Sequence, residues 1–120
     1  MTIDWHRIRY FRRHEFGQGE PDVEPDPDLV RMLDEARAVA GIPFVITSGL
    51  RTRARNSKVG GAPNSAHLTG HAADIRCPTS RHRMLMIEAM LEVGFRRIGV
   101  RYPAHIHVDT RQDLPQDVIW

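Results

Sequence analysis

Cysteine is nearly absent from this chain, and long apolar runs are missing altogether. Cys77 is the single cysteine in 120 residues, so no disulfide can form within the chain. Stability must therefore come from a packed core, with a metal ion as a further source. A lone cysteine before Pro78 is more typical of a small buried side chain than of a nucleophile. No apolar stretch approaches the ~20 residues that cross a bilayer, and residues 1–20 are charged and aromatic, unlike a signal peptide. We therefore expect no transmembrane segment.

The chain also has only a small excess of positive over negative charge. The 17 Lys and Arg against 15 Asp and Glu leave a formal net charge of +2, which suits approach to an anionic polymer but is too small to indicate nucleic acid. A basic DNA-associated domain is an alternative, because arginines accompany aromatic residues near the N-terminus. We favour docking of the aromatic side chains with the arginines solvated, and we predict no nucleic-acid partner. The residues concerned are Arg7, Arg9, Arg12 and Arg13 with Trp5, Tyr10, Phe11 and Phe16.

What the sequence does contain fits one domain. A length of 120 residues and a hydrophobic content of 41% suit one modest core, with residues 1–26 packing on it as a leader and linker. Apolar residues recur at spacings of three and four in two segments, which predicts amphipathic helices over residues 27–40 and about 80–93. The capping residues agree with both helices: Asp26, Pro27 and Gly41 for the first, Thr79 or Ser80 and Gly94 for the second.

Short segments rich in β-branched and apolar residues predict the strands. They cover residues 44–47, 71–75, 95–100 and 105–109, while residues 17–27 and 52–64 have loop composition, the latter with a short polar helix at most. Residues 111–120 are polar and interrupted by proline, with an apolar end that can dock back. The predicted fold class is α+β, a small and mostly antiparallel sheet against which the two helices pack.

Two groups of metal-binding residue types lie far apart in the sequence. His67 and Asp74 stand on either side of Gly70, where the chain can bend without steric penalty. The second group shares one face if residues 104–109 form a strand; it comprises His105, His107 and Asp109. Together the groups could supply three ligands of a catalytic zinc site with an open fourth position.

Two other arrangements of the first group are possible. His67 and Asp74 could form a hydrogen-bonded pair without a metal. His67 and His71 are four residues apart, as on a zinc-binding helix. Gly70 and the β-like composition of residues 72–75 weigh against a helix there, so we leave His71 out of the predicted ligands.

The first cluster fits a longer motif. The pattern Ser-x-His-x-x-Gly-x-Ala-x-Asp spans residues 65–74, a Ser-Gly-Leu-Arg segment precedes it at 48–51, and Ile-His-Val-Asp follows at 106–109. The run 56–61, which ends in Gly-Gly, also matches. In these features, over about residues 11–111, the chain resembles the M15 family of zinc D-Ala-D-Ala peptidases, in particular its small phage- and bacterium-type branch with a Hedgehog-like fold.

The resemblance implies roles for particular residues. Zn²⁺ would be held by His67, Asp74 and His107, and Arg51 would stabilise the oxyanion that develops on the scissile carbonyl. The Ser65 hydroxyl would contact substrate or cap a turn. The implied reaction is hydrolysis of an amide bond in peptidoglycan stem peptides, by carboxypeptidase or endopeptidase action.

One position departs from the family pattern. Many members carry an acidic general base three residues before the last histidine ligand, where this chain has Ala104. His105 is our first candidate for the base, because an imidazole titrates near neutral pH and this one is predicted to face the metal. Asp109 could act instead, or could orient a ligand imidazole from outside the metal's own ligands.

A second hypothesis is therefore a non-catalytic, zinc-stabilised binding module on the same fold, recognising wall peptides or a protein partner. Ala104 favours this hypothesis, whereas Arg51 favours the peptidase. We expect the peptidoglycan stem peptide as partner, a monomer, and a site of action in the periplasm or cell wall.

Overall fold

The computed structural model describes residues 3–17 and 24–120, in which four helices lie around one five-stranded sheet. The predicted α+β fold class is confirmed. The helices are α1 (Arg13–Phe16), α2 (Pro27–Ala40), α3 (Arg53–Lys58) and α4 (Ser80–Val93). The strands are β1 (Ile46–Ser48), β2 (Ala72–Arg76), β3 (Arg97–Gly99), β4 (His105–Asp109) and β5 (Val118–Ile119). Two 3-10 turns complete the structure, at Trp5–Arg7 and Ala66–Thr69.

The two long helices have the predicted bounds, because capping residues mark both ends of each. The Asp26 carboxylate accepts a hydrogen bond from the Leu29 amide at the start of α2, and the Thr79 hydroxyl accepts one from His82 at the start of α4. Left-handed glycines end both helices, with φ of 68° at Gly41 and 104° at Gly94. The helices pack on each other and bury their apolar sides against one face of the sheet.

The strand order β1-β2-β4-β3-β5 places β2 and β4 side by side at the centre of the sheet. Their antiparallel register sets Asp74 directly opposite His107. Alternation then divides the side chains between two faces: Ala73, Ile75, Ile106 and Val108 enter the core, whereas Asp74, His105, His107 and Asp109 belong to the opposite face. The register of two adjacent strands thus brings together residues more than thirty positions apart.

Several strand predictions were wrong in their bounds. The predicted strand at 44–47 is replaced by β1, whose pairing with β2 covers only Ile46 to Ser48, while Phe44 is buried in the core outside the strand. The segment predicted at 95–100 pairs only at 97–99. β5 was not predicted; its two residues pair parallel with β3, and Trp120 follows. Most of the loop predicted at 17–27 lies outside the described residues, at 18–23.

The N-terminal segment contributes to the core. Phe11 and Phe16 are buried with their rings in edge contact, 5.5 Å between centroids. The Phe16 carbonyl accepts a hydrogen bond of 2.9 Å from the Leu50 amide. Gly49 lies so close that a Cβ there would be 2.9 Å from the same carbonyl oxygen. The segment therefore supports the loop that carries Arg51.

Cys77 is buried, as predicted for a small apolar side chain, and burial raises the pKa of its thiol. Within residues 3–17 and 24–120, no helix combines the length and the apolar character needed to cross a bilayer.

Candidate metal centre

Three side chains from three segments converge on the open face of the sheet. His67, Asp74 and His107 each present a ligand atom, and these atoms lie within 4.8 Å of one another. Asp74 Oδ1 is 3.3 Å from His67 Nε2 and 3.0 Å from His107 Nδ1. The structure thus brings together the three residues predicted as metal ligands.

Local sequence fixes the direction of His67. Ser65 begins the 3-10 turn by accepting a hydrogen bond from the His67 amide, so its hydroxyl acts as a cap. The His67 ring is nearly fully buried, and its Nδ1 lies 2.8 Å from the Gly49 carbonyl. A carbonyl can only accept, so Nδ1 carries the proton and the Nε2 lone pair faces Asp74.

Gly70 ends this turn in the left-handed region, with φ of 76°. The bend predicted there is confirmed, and space is also limited, because a Cβ at Gly70 would lie 2.9 Å from the Pro25 Cα. The Gly70 carbonyl accepts from the Asp26 amide at 2.8 Å. The 3-10 turn is therefore fastened to the start of α2.

His107 lies between two carboxylates. Its Nδ1 is 3.0 Å from Asp74 Oδ1 and its Nε2 is 2.9 Å from Asp109 Oδ2. Burial alone would lower the pKa of His107, but the hydrogen bonds to Asp109 and Asp74 outweigh it, and the net pKa is raised. Asp109 is buried, and Arg97 donates to its other oxygen at 2.7 Å. The position matches the role of orienting partner proposed for Asp109.

Asp74 is the electrostatic centre of the group. Burial would raise the pKa of this carboxyl, but the neighbouring His107 and His67 rings outweigh burial, His107 by donating a hydrogen bond, so the pKa lies well below its ordinary value. Arg51 NH2 lies 3.5 Å from Asp74 Oδ2, with only 12% of the Arg51 side chain exposed. Burial lowers the pKa of Arg51, although the charge of Asp74 opposes that shift. Asp74 thus stays ionised beside a guanidinium at the edge of the site.

His105 is at the open side of the group. Its Nε2 is 3.8 Å from Asp74 Oδ2, and 31% of its side chain is exposed. The ring stacks on Tyr102 at 4.5 Å between centroids, with the planes 13° apart. His105 can therefore meet a solvent molecule or a substrate, whereas both oxygens of Asp109 are already engaged.

Other residues at the site were not predicted from the sequence. The Trp120 ring lies 5.5 Å from the His107 ring and 5.1 Å from the Arg97 guanidinium. A Cβ at Gly99 would come within 3.0 Å of both the Trp120 and Tyr102 rings, so the absence of a side chain at Gly99 leaves room for both rings. No local pattern identifies Trp120, because it is placed by pairing of β5 with β3.

Two imidazole nitrogens and one carboxylate oxygen form a donor set that suits zinc, and three protein ligands leave a coordination position free. The fixed His67 tautomer points a lone pair into the site, and outer hydrogen bonds hold two of the three donors. The residues present therefore fit such an ion.

Comparison with known proteins gives the family. Residues 10–109 match peptidase M15. Over 69 residues the chain is 39% identical to the zinc D-Ala-D-Ala carboxypeptidase of Streptomyces albus G, a stretch that is 57% of this chain and 27% of that relative. The chain thus matches about a quarter of the relative's length.

Among solved structures, the fold is similar to the Serratia marcescens L-Ala D-Glu endopeptidase ChiX, with a TM-score of 0.56 and 23% identity. The match covers 89% of this chain and 95% of the other, and at this identity it shows the fold alone. Together, the family match over residues 10–109 and the shared fold confirm the resemblance drawn from the motifs: the chain belongs to the peptidase M15 family.

Proposed function

We propose that this chain is a zinc-dependent peptidase that hydrolyses amide bonds in peptidoglycan stem peptides. The observation that carries the proposal is the convergence of His67, Asp74 and His107 within 4.8 Å on the open face of the sheet. The relative's name supports zinc and a D-Ala-D-Ala substrate. We also propose action in the periplasm or cell wall, as a monomer without nucleic acid.

The proposed ligand atoms are His67 Nε2, a carboxylate oxygen of Asp74 and His107 Nδ1. A bound zinc ion would supply Lewis acidity toward water and toward the scissile carbonyl. Gly49 and Asp109 would hold the two imidazoles in their ligating directions, as they do here through their hydrogen bonds.

The remaining chemistry falls to two side chains at the edge of the site. Arg51 NH2, next to Asp74, would donate to the oxygen on which negative charge develops. His105 would take the proton from the attacking water at Nε2 and pass it to the leaving amine. Stacking on Tyr102 limits rotation of the His105 ring, which supports its role despite Ala104.

The test combines metal analysis with digestion of purified peptidoglycan, and mass spectrometry of the released fragments. We expect about one zinc per chain and products that disappear on chelation and in the His67→Ala variant. Release of free D-Ala from a synthetic stem peptide would indicate a carboxypeptidase, and cleavage between L-Ala and D-Glu an endopeptidase.

The His105→Ala variant tests the base separately. Because general acid–base catalysis contributes about 10²- to 10⁴-fold, we expect kcat to fall within that range while zinc content stays unchanged. Activity equal to that of the unsubstituted chain would remove His105 from this role.

The alternative is a non-catalytic, zinc-stabilised binding module, which Ala104 favours because it offers no acidic base. Stoichiometric zinc, retention on peptidoglycan and no released fragment would establish the alternative over the peptidase.

A further inference from the structure

We propose that Asn56 is a positioning residue that orients Arg51 toward the substrate, and that Gly61 makes this placement possible. The inference deepens the proposed function and rests on it, because it concerns the group that would stabilise the developing oxyanion. It starts from an anomaly in α3. The buried residue of this helix is an amide, with 3% of Asn56 exposed, whereas burial usually favours an apolar side chain.

The guanidinium of Arg51 is held at each of its nitrogens. Nε donates to Ser48 Oγ at 2.9 Å, NH1 donates to Asn56 Oδ1 at 3.1 Å, and NH2 faces Asp74 Oδ2 at 3.5 Å. Since the group is planar and rigid, fixing Nε and NH1 also fixes the direction of NH2. Asn56 therefore determines which edge of Arg51 faces the metal centre.

The orientation of the Asn56 amide is itself determined. Its Nδ2 donates to the Ala62 carbonyl at 2.8 Å, which leaves Oδ1 facing Arg51. With the amide reversed, an NH₂ group would face the guanidinium and an oxygen would face a carbonyl, and neither pair can form a hydrogen bond. The loop after α3 thus selects the acceptor that Arg51 needs.

Gly61 closes this arrangement. Its amide donates to the Asn56 carbonyl at 2.8 Å. A Cβ at Gly61 would lie 2.1 Å from Asn56 Oδ1 and 3.0 Å from Arg51 NH1, so any larger residue must displace the Asn56 amide. The backbone passes over the Asn56–Arg51 hydrogen bond at a distance that only glycine permits.

The first test measures kcat and KM of the zinc-loaded chain on a synthetic stem peptide. A misplacement of about 1 Å can cost on the order of 100-fold in rate, so we expect Asn56→Leu to lower kcat by about 10- to 100-fold with KM little changed. Asn56→Asp keeps an acceptor for Arg51 and should recover most of kcat. Gly61→Ala keeps the Asn56 side chain but pushes its amide away from Arg51, so this variant should resemble Asn56→Leu. The matched control is Arg53→Ala, an exposed residue of the same helix, which should leave kcat unchanged.

A double variant then separates positioning from a general structural effect. If Asn56 acts through Arg51, Asn56→Leu should have little further effect in an Arg51→Met background, because coupled residues are not additive. If kcat of the double variant falls by the product of the two single fold-losses, the inference is overturned. Unchanged kcat in both Asn56→Leu and Gly61→Ala would overturn it as well.

A second readout does not depend on activity. In ¹⁵N–¹H NMR spectra of arginine side chains, the Nε–H signal of Arg51 is identified by its loss in Arg51→Lys. We expect this signal to shift or to exchange faster with water in Asn56→Leu and Gly61→Ala, but not in Arg53→Ala. If the unsubstituted chain cleaves no peptide, the proposed function fails, while this spectrum still decides the inference. An unmoved Arg51 signal in both variants would refute it.

Discussion

At the residue scale, zinc binding by single variants can distinguish the proposed ligands from a nearby histidine that is not expected to bind the metal. We expect His67→Ala, Asp74→Ala and His107→Ala each to weaken zinc binding by more than about 100-fold, the upper end of what loss of an outer hydrogen-bond partner costs. His71 is the matched control. Its Nδ1 pairs with the Thr69 hydroxyl at 2.7 Å, outside the group, so His71→Ala should keep its zinc. Competition with a chromophoric chelator measures the zinc affinity of all four variants, and loss of zinc in His71→Ala would contradict the proposed ligand set.

Zinc and protons should compete at His107. The pKa of this imidazole is raised above its ordinary value of 6.5 in the metal-free structure, and zinc needs the neutral ring. The apparent affinity for zinc should therefore rise with pH from about 6 upward, by at most about tenfold per pH unit for one displaced proton, and level off above the raised pKa. Chelator competition at several pH values measures the slope; an affinity independent of pH across this range would contradict the prediction.

The same groups make the stability of the metal-free protein depend on pH. A raised imidazole pKa stabilises the fold fully below 6.5 and less as the pH rises through the folded value. The lowered pKa values of Asp74 and Asp109 stabilise it above 3.8, and this contribution is lost as the pH falls through the folded values. The metal-free melting temperature should therefore peak between these two ordinary values, as thermal scans against pH would show.

At the residue scale, the sequence could predict which side chains lie near one another where the groups are close in the chain or share a strand. His67, Gly70 and Asp74 belong to one motif, and alternation along β4 puts His105, His107 and Asp109 on one face. The roles of Arg97 and Trp120 could not be predicted, because their partners lie on other strands and depend on register. Asn56 was part of the matched run 56–61, but only coordinates reveal that its amide meets Arg51.

At the element scale, Asp26 joins the start of α2 to the end of β4, the strand that carries His107. Its carboxylate caps α2 and also accepts a hydrogen bond of 2.7 Å from the Thr110 hydroxyl, just after β4. We expect Asp26→Ala to lower the free energy of unfolding by about 2 kcal/mol, at the upper end for a lost cap. Thr79→Ala, which removes the cap of α4 without such a cross-link, should cost about 1 kcal/mol. Urea denaturation compares them, and equal losses would mean that the Thr110 contact adds nothing.

The helices were predictable as elements, and the strands less so, for a physical reason. Helix ends are marked locally, by side-chain caps and by glycines that adopt left-handed φ. Strand ends are set by where a partner strand stops, which no local sequence reports. β1 has an irregular register between Ile46 and Ser48, and β5 has two residues, so neither boundary could have been read from composition.

At the scale of the whole molecule, zinc should act as the cross-link that disulfides cannot provide. The three proposed ligands come from the 3-10 turn, β2 and β4. An ion bound to the folded state alone adds about 2.7 kcal/mol of stability at a free concentration 100 times its Kd. We expect zinc to raise the melting temperature by several degrees, chelation to reverse this, and His67→Ala to show no response. Bound zinc without any thermal shift would mean that the ion does not join these segments.

The hydrogen bond from Leu50 to the Phe16 carbonyl has a practical consequence for anyone who handles this protein. Arg51 follows Leu50 immediately, so the N-terminal segment is coupled to the proposed site through Leu50 and Arg51. We therefore expect fusion tags, protease sites or deletions among the first sixteen residues to displace Arg51 and so to change the proposed activity, even though they remove none of the proposed metal ligands.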